Sequence, residues 1–224
     1  MSTTLKPFGL KPAFHPSGLD RSTPFAGTNS YVTGTPNYSA SYSLSAGEAF
    51  YQYQPVAVVA ASGALTYASS TTDRLIGSFD GVEFTDSQGR RSVAKWITYE
   101  ALAASTQVVF WIFSDPALVY EIQAVGSVAN TNIGKDFNFS ATSGYTPADG
   151  TTVGTSGGAR FSTCALNPTP VATGAQGQVK LVGLGREVAY PTGELNAWGD
   201  TNTIVQVQIA NSQLVAPSIS VAYS

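Results

Sequence analysis

Cysteine, histidine and charge are all scarce in this chain. Its 224 residues include one cysteine, Cys164, and one histidine, His15. One cysteine allows no intrachain disulfide, and one histidine with one cysteine cannot close a zinc shell. Charged residues make up 11%, against about a quarter in ordinary domains, so surface solubility rests on neutral polar groups. A sequence-independent grip on nucleic acid needs a basic surface, whereas the formal charge is -3. The single basic cluster, Arg90, Arg91 and Lys95, reads as a solvated hairpin. The longest apolar runs, "VAVVAA" from Val56 and "VVFWIF" from Val108, fall far short of the ~20 residues of a membrane span. Neither nucleic acid nor a membrane is expected as a partner.

Motifs for chemistry are equally sparse. No phosphate-cradling loop, dinucleotide fingerprint, nucleophile elbow or calcium loop occurs, and "GLGRE" (Gly183 to Glu187) lacks the third glycine. His15 sits in a proline-rich stretch that supplies neither a positioned nucleophile nor an orienting group. Cys164, in "RFSTCALNP", reads as a buried small apolar residue. Glycosidases pair two acids distant in sequence, which makes Glu83, Glu121, Asp115 and Asp200 the carboxylates to inspect. Asp115 is placed to open a turn before Pro116, while Glu83 and Glu121 alternate with apolar residues and read as solvent-facing. No catalytic residue, metal or cofactor is assigned. The sequons at Asn37 and Asn138 are read as chance matches, because the N-terminal stretch does not read as a secretion signal.

Strand signals dominate what is present. "AFYQYQPVAVVA" (Ala49 to Ala60), "RLIGSFDGVEFT" (Arg74 to Thr85), "QVVFWIF" (Gln107 to Phe113), "LVYEIQAVG" (Leu118 to Gly126), "QVKLVGLG" (Gln178 to Gly185) and "TIVQVQIA" (Thr203 to Ala210) are short and rich in β-branched or aromatic residues. "DSQGR" (Asp86 to Arg90) and "ASG" (Ala61 to Gly63) predict hairpin turns, and "SDP" (Ser114 to Pro116) a corner. Helix signals reduce to one short turn in "VANTNIGKDF", capped by Asn130. "AKWITYEALAAS" is read with its β-rich neighbours. Residues 141–158 form a Gly, Ser and Thr tract read as a long exposed loop. In "IVQVQIA" the residues Ile204, Val207 and Ile209 are set against Gln206 and Gln208, one face apolar and the other polar but uncharged. That face suits either solvent or a subunit contact. These signals predict a mainly β fold, an antiparallel β-sandwich or β-barrel with little helix.

The N-terminal stretch "LKPFGLKPAFHPSGLDRSTPF" (Leu5 to Phe25) predicts something different. Pro7, Pro12, Pro16 and Pro24 interrupt each apolar run, leaving Leu5, Phe8, Leu10, Phe14, Leu19 and Phe25 as isolated apolar knobs. Ordering some twenty residues costs about 20 to 40 kcal/mol, and burying six large side chains returns about 9 to 18. Such an arm orders only against a fold or a partner. The chain is accordingly divided into an extended arm (1–36), a β-rich domain (37–213) and a tail (214–224).

Three segments, "IGSFDGVEFTD", "DPALVYEIQA" and "NAWGD", stand in an order and spacing that resembles a family of virion structural proteins of tailed bacteriophages, the decoration or cement proteins of the head. The resemblance covers most of the chain, roughly Lys6 to Ile209; "NYSASYSLSAGEA" (Asn37 to Ala49) and the tail after Gln213 depart from it, so docking details are not carried over. It implies a mainly β accessory protein, commonly trimeric, on the outer surface of the virion, assembled in the host cytoplasm, with the major capsid protein as partner and no catalytic residues. On that reading the arm is a clamp, with Phe8, Leu10, Phe14, His15 and Pro16 as its capsid contacts. The alternative is a virion-surface adhesin or head fibre module, with Tyr145, Trp198 and Tyr223 stacking on host carbohydrate.

Overall fold

The computed structural model describes residues 5, 7–18, 21–25, 30–32, 35–37, 42–68, 70–140, 162–186 and 195–215. Along the chain its strands are β1 (Lys11–Phe14), β2 (Thr23–Phe25), β3 (Ser30–Val32), β4 (Thr35–Asn37), β5 (Ala49–Tyr51), β6 (Pro55–Val58), β7 (Leu65–Tyr67), β8 (Gly77–Thr85), β9 (Arg91–Ala94), β10 (Trp96–Thr98), β11 (Thr106–Phe113), β12 (Val119–Gln123), β13 (Asp136–Phe137), β14 (Val179–Leu184) and β15 (Ile204–Ile209). One five-residue helix, α1 (Tyr99–Ala103), and a 3-10 turn at Asn130–Asn132 interrupt them. A five-stranded sheet runs β1-β12-β15-β14-β13; a six-stranded sheet runs β2-β11-β8-β6-β7, with β9 also on β8. Strands β5 and β10, and β3 and β4, form two-stranded ribbons. The protein is mainly β, its strand ladders are antiparallel, and neither large sheet closes on itself, so the architecture is sandwich-like rather than a barrel.

Each large sheet has its own apolar core. In β11 the side chains of Val108, Phe110 and Ile112 point inward and join Phe50, Phe79, Val82, Leu65 and Leu102. There the Phe50 and Phe79 rings stack at 5.4 Å and Phe110 meets Phe50 edge-on at 5.2 Å, arrangements that aromatic quadrupoles favour. The second core gathers Tyr120 and Ile122 of β12, Val205 and Val207 of β15, Val179 and Leu181 of β14, and Cys164. The "SDP" corner carries the chain from one sheet to the other: Asp115 Oδ1 accepts the Ala117 N–H at 2.8 Å, and Tyr120 donates its hydroxyl to the Phe113 carbonyl at 2.8 Å.

Local turn chemistry behaves as the sequence predicts. Asp86 Oδ1 accepts the N–H groups of Gln88 and Arg90, both at 2.9 Å, closing the β8–β9 hairpin. Gly63, at φ +67°, turns β6 into β7, with the Gly63 N–H donating to the Val59 carbonyl. The predicted strand from Ala49 to Ala60 is broken in two, because Tyr53 takes φ 64°. "AKWITYEALAAS" divides into β10 and α1, whose first turn is capped by Thr98 Oγ1 accepting the Ala101 N–H. The turn at Asn130 is a 3-10 turn whose N-cap is Ala129, not Asn130, and no side chain caps it.

The N-terminal segment departs most from expectation. Instead of a detached arm, its described residues supply an edge strand to each large sheet: β1 pairs with β12, Lys11 opposite Glu121, and β2 pairs with β11, Pro24 opposite Trp111. Leu10 is fully buried in the second core. Its N–H donates to the Tyr53 carbonyl at 2.7 Å, and its carbonyl accepts the Ser78 hydroxyl at 2.7 Å. Prolines are compatible with this because edge strands tolerate a missing N–H.

The phase of β15 is also corrected. Val205, Val207 and Ile209 share the core face, as a period of two requires, whereas Ile204 lies on the other face with Gln206 and Gln208. Both faces of the strand's centre are covered: Gln206 is buried too.

Candidate functional site

The five arm residues are dispersed by the fold. Leu10 lies wholly inside and presents no surface to a partner. Phe8 is partly buried, with Lys11 Nζ 5.9 Å from its ring centroid. Phe14, 40% exposed, and Pro16 remain accessible at the end of β1.

The fold brings His15 beside a carboxylate distant in sequence. Its side chain is 6% exposed and places Nε2 3.1 Å from Asp115 Oδ2. Nε2 nevertheless makes no hydrogen bond. Nδ1 accepts the Ser17 backbone N–H at 3.0 Å. Among the described residues neither ring nitrogen meets a hydroxyl or thiol, and the pair sits between the end of β1 and the corner before β12, without the elements of nucleophile activation.

The four inspected carboxylates sit in separate parts of the fold. Glu83 faces outward and pairs with Arg91 at 2.7 Å. Asp115 holds its corner as described. Glu121 is not solvent-facing: it is 6% exposed, and Oε1 accepts the Arg186 N–H at 2.8 Å and the Gln206 amide at 3.4 Å. Asp200 is buried, its Oδ2 accepting the Ala197 N–H at 3.0 Å. Among the described residues no group of three or more His, Cys, Asp or Glu side chains is placed to hold a metal. No helix among them is long and apolar enough to cross a membrane.

The basic cluster is matched charge for charge. Arg90 pairs with Asp86 at 2.9 Å, Arg91 with Glu83 at 2.7 Å and Lys95 with Asp80 at 2.7 Å. Asp80 also accepts the Ser22 hydroxyl at 2.9 Å and the Gln52 amide at 3.3 Å.

The three sequence segments singled out above prove to be fold determinants. In "NAWGD", Asn196 Nδ2 donates to the carbonyls of Gly185 and Ile204 at 2.9 and 2.7 Å, and Oδ1 accepts the Ile204 N–H at 3.0 Å. This one amide ties the end of β14 to the start of β15. Thr203 Oγ1 donates to the Asp200 carbonyl and accepts the Val128 N–H. Asp115 and Asp80 do the corresponding work in the other two segments. Trp198 packs against the core of the five-stranded sheet. Tyr145, Tyr223 and the 141–158 tract lie outside the described residues. Asn138 Oδ1 accepts the Gln178 N–H at 3.1 Å, so this sequon amide is engaged in the fold.

Comparison with protein families, with curated proteins and with solved structures finds no match to this chain.

Proposed function

We propose that this chain is a head decoration protein of a tailed bacteriophage, which binds the outside of the major capsid protein shell as a trimer and stabilises it. The reading rests on the sequence resemblance from Lys6 to Ile209. The structural observation that supports it is the commitment of the motif side chains to the fold: Asp80, Asp115, Asn196 and Asp200 all receive donors from their own chain. Residues used in this way brace a scaffold. A protein that stiffens a shell needs such a scaffold, and low charge limits the desolvation cost of wide contacts. Within the former arm, the accessible contact is Phe14 with Pro16, at the free edge of β1. A trimer on three-fold positions meets its copies head to tail in a closed ring.

The test is co-sedimentation with heads assembled without the protein, together with light scattering of the free protein. Saturable binding in fixed ratio to the capsid protein, and a trimer mass, are expected. Protein that stays in the supernatant at micromolar concentration overturns the reading.

A further inference from the structure

We propose that the outer face of the six-stranded sheet, centred on Trp111, is a binding platform for a neutral saccharide chain. This inference does not depend on capsid attachment. The alternation of β11 sends Val108, Phe110 and Ile112 into the core, so Val109 and Trp111 stand on the opposite face. Across the ladders, Trp111 lies opposite Pro24 on one side and Gly81 on the other. One neighbour has a small compact ring and the other no side chain, so the indole is flanked by low ground. A Cβ at Gly81 would stand 2.8 Å from the Ala94 carbonyl oxygen and 3.4 Å from Lys95 Cδ. The aliphatic stem of Lys95 therefore borders the same patch. The next row places Val109 opposite Glu83, and Glu83 opposite Val93, which is 71% exposed.

Hydrogen-bonding groups rim this apolar strip. Lys95 Nζ meets Asp80 Oδ1 at 2.7 Å, where the Gln52 amide also donates, and Ser22 donates to Asp80 Oδ2. Arg91 and Glu83 form the second ion pair. Trp111 is partly buried, and its indole N–H has no acceptor among the described residues.

The chemistry of the patch selects its ligand. Two acids and two bases are paired within it, leaving no net charge to hold an ion. An apolar protein partner would have to desolvate both ion pairs, a penalty that can exceed their mutual attraction. A polyhydroxylated ring lays its C–H face on the indole and offers hydroxyls that replace water at the carboxylates, amide and ammonium. A strip of aromatic and aliphatic side chains with a few placed polar groups is how small-molecule sites combine affinity with orientation. With Val93 71% exposed at one end of the row and Trp111 partly buried at the other, the strip suits an extended chain laid along it rather than an enclosed monosaccharide.

The test is a glycan array of neutral hexose, neutral N-acetylhexosamine and acidic oligosaccharides, followed by calorimetric titration with the best-bound oligosaccharide. The full chain should bind neutral glycans; Trp111→Ala should weaken the titrated affinity about tenfold, and Trp198→Ala should leave it unchanged. Val93→Arg alters an exposed position and should also weaken it, which keeps the test valid if Trp111→Ala unfolds. Binding to no glycan, binding only to acidic glycans, or undiminished affinity in both platform variants overturns the proposal. So does a loss of trimer or capsid binding in Val93→Arg with glycan affinity intact, which would make this face a protein contact.

Discussion

Leu10 donates its backbone N–H to the carbonyl of Tyr53 at 2.7 Å, and Tyr53 presents that carbonyl from a left-handed backbone at φ 64°. The contact fastens the N-terminal segment to the turn between β5 and β6. Beside it, a Cβ at Gly9 would collide with the same carbonyl oxygen, and Gly9 itself has φ +81°. Removing residues 1–24 would strip β1 from β12, uncover the second core and leave the Tyr53 carbonyl unpaired. The truncated protein is expected to lose cooperative unfolding, measured by urea denaturation followed by tryptophan fluorescence.

Leu10 and Phe14 should separate stability from attachment. Leu10→Ala empties a fully buried site and should cost about 2 to 5 kcal/mol of unfolding free energy. Phe14 is 40% exposed, so Phe14→Ala should leave the urea midpoint nearly unchanged. If Phe14 is buried at the shell, the same change should weaken co-sedimentation with heads by about 1 to 3 kcal/mol.

Asn196→Ala removes three hydrogen bonds between β14 and β15 at a buried site. The expected loss is about 2 to 4 kcal/mol. Asn196→Asp keeps the acceptor for the Ile204 N–H but loses both donors and should be destabilised too. Thermal melts of the two variants check this.

Alkaline pH should unfold the protein through its tyrosines. Burial, with the Asp115 charge a smaller cause, raises the Tyr120 hydroxyl well above its ordinary value. Burial and then the hydrogen bond to Glu48 raise Tyr67 likewise. A group whose pKa is raised on folding stabilises fully below its unfolded value, about 10, and loses that contribution as pH rises beyond it. Melting temperature should therefore fall above about pH 10. Absorbance at 295 nm should show these hydroxyls ionising together with unfolding, and independent ionisation in the folded protein would contradict the assignment.

Asp86 should report at the acid end. The Arg90 backbone N–H, more than the Arg90 guanidinium, holds its carboxyl below the usual range. A pKa lowered on folding gives stability above the unfolded value, near 4, which is lost as pH falls through the folded one. Asp86→Ala should lower the melting temperature at pH 7 and narrow its difference between pH 7 and pH 3.

The turns were legible in the sequence because their chemistry is local: Asp86 meets Gln88 and Arg90 within four residues. The fate of Leu10 was not, since its hydrogen-bond partners Tyr53 and Ser78 come from distant strands and no periodicity marks them. Glu121 alternates like a surface residue, but the backbone of Arg186 and the amide of Gln206 close over it. Trp111 was hidden for the opposite reason. "QVVFWIF" is apolar on both faces, so period two cannot be read from it, and only the packing of Val108, Phe110 and Ile112 into the core shows which side the indole takes.

In the five-stranded sheet, β12 lies between β1 and β15, with Glu121 opposite both Lys11 and Gln206. Its neighbours are thus made at widely separated times. At ordinary translation rates Gln206 follows Glu121 by about 4 to 17 s, during which β12 has one edge with no native partner. Pairings of such sequence separation form slowly even in a free chain, in milliseconds to seconds. The nascent protein is therefore exposed to mispairing with other copies until β15 leaves the ribosome, and raising the translation rate or supplying a holdase chaperone should increase the yield of folded protein more than any single core substitution.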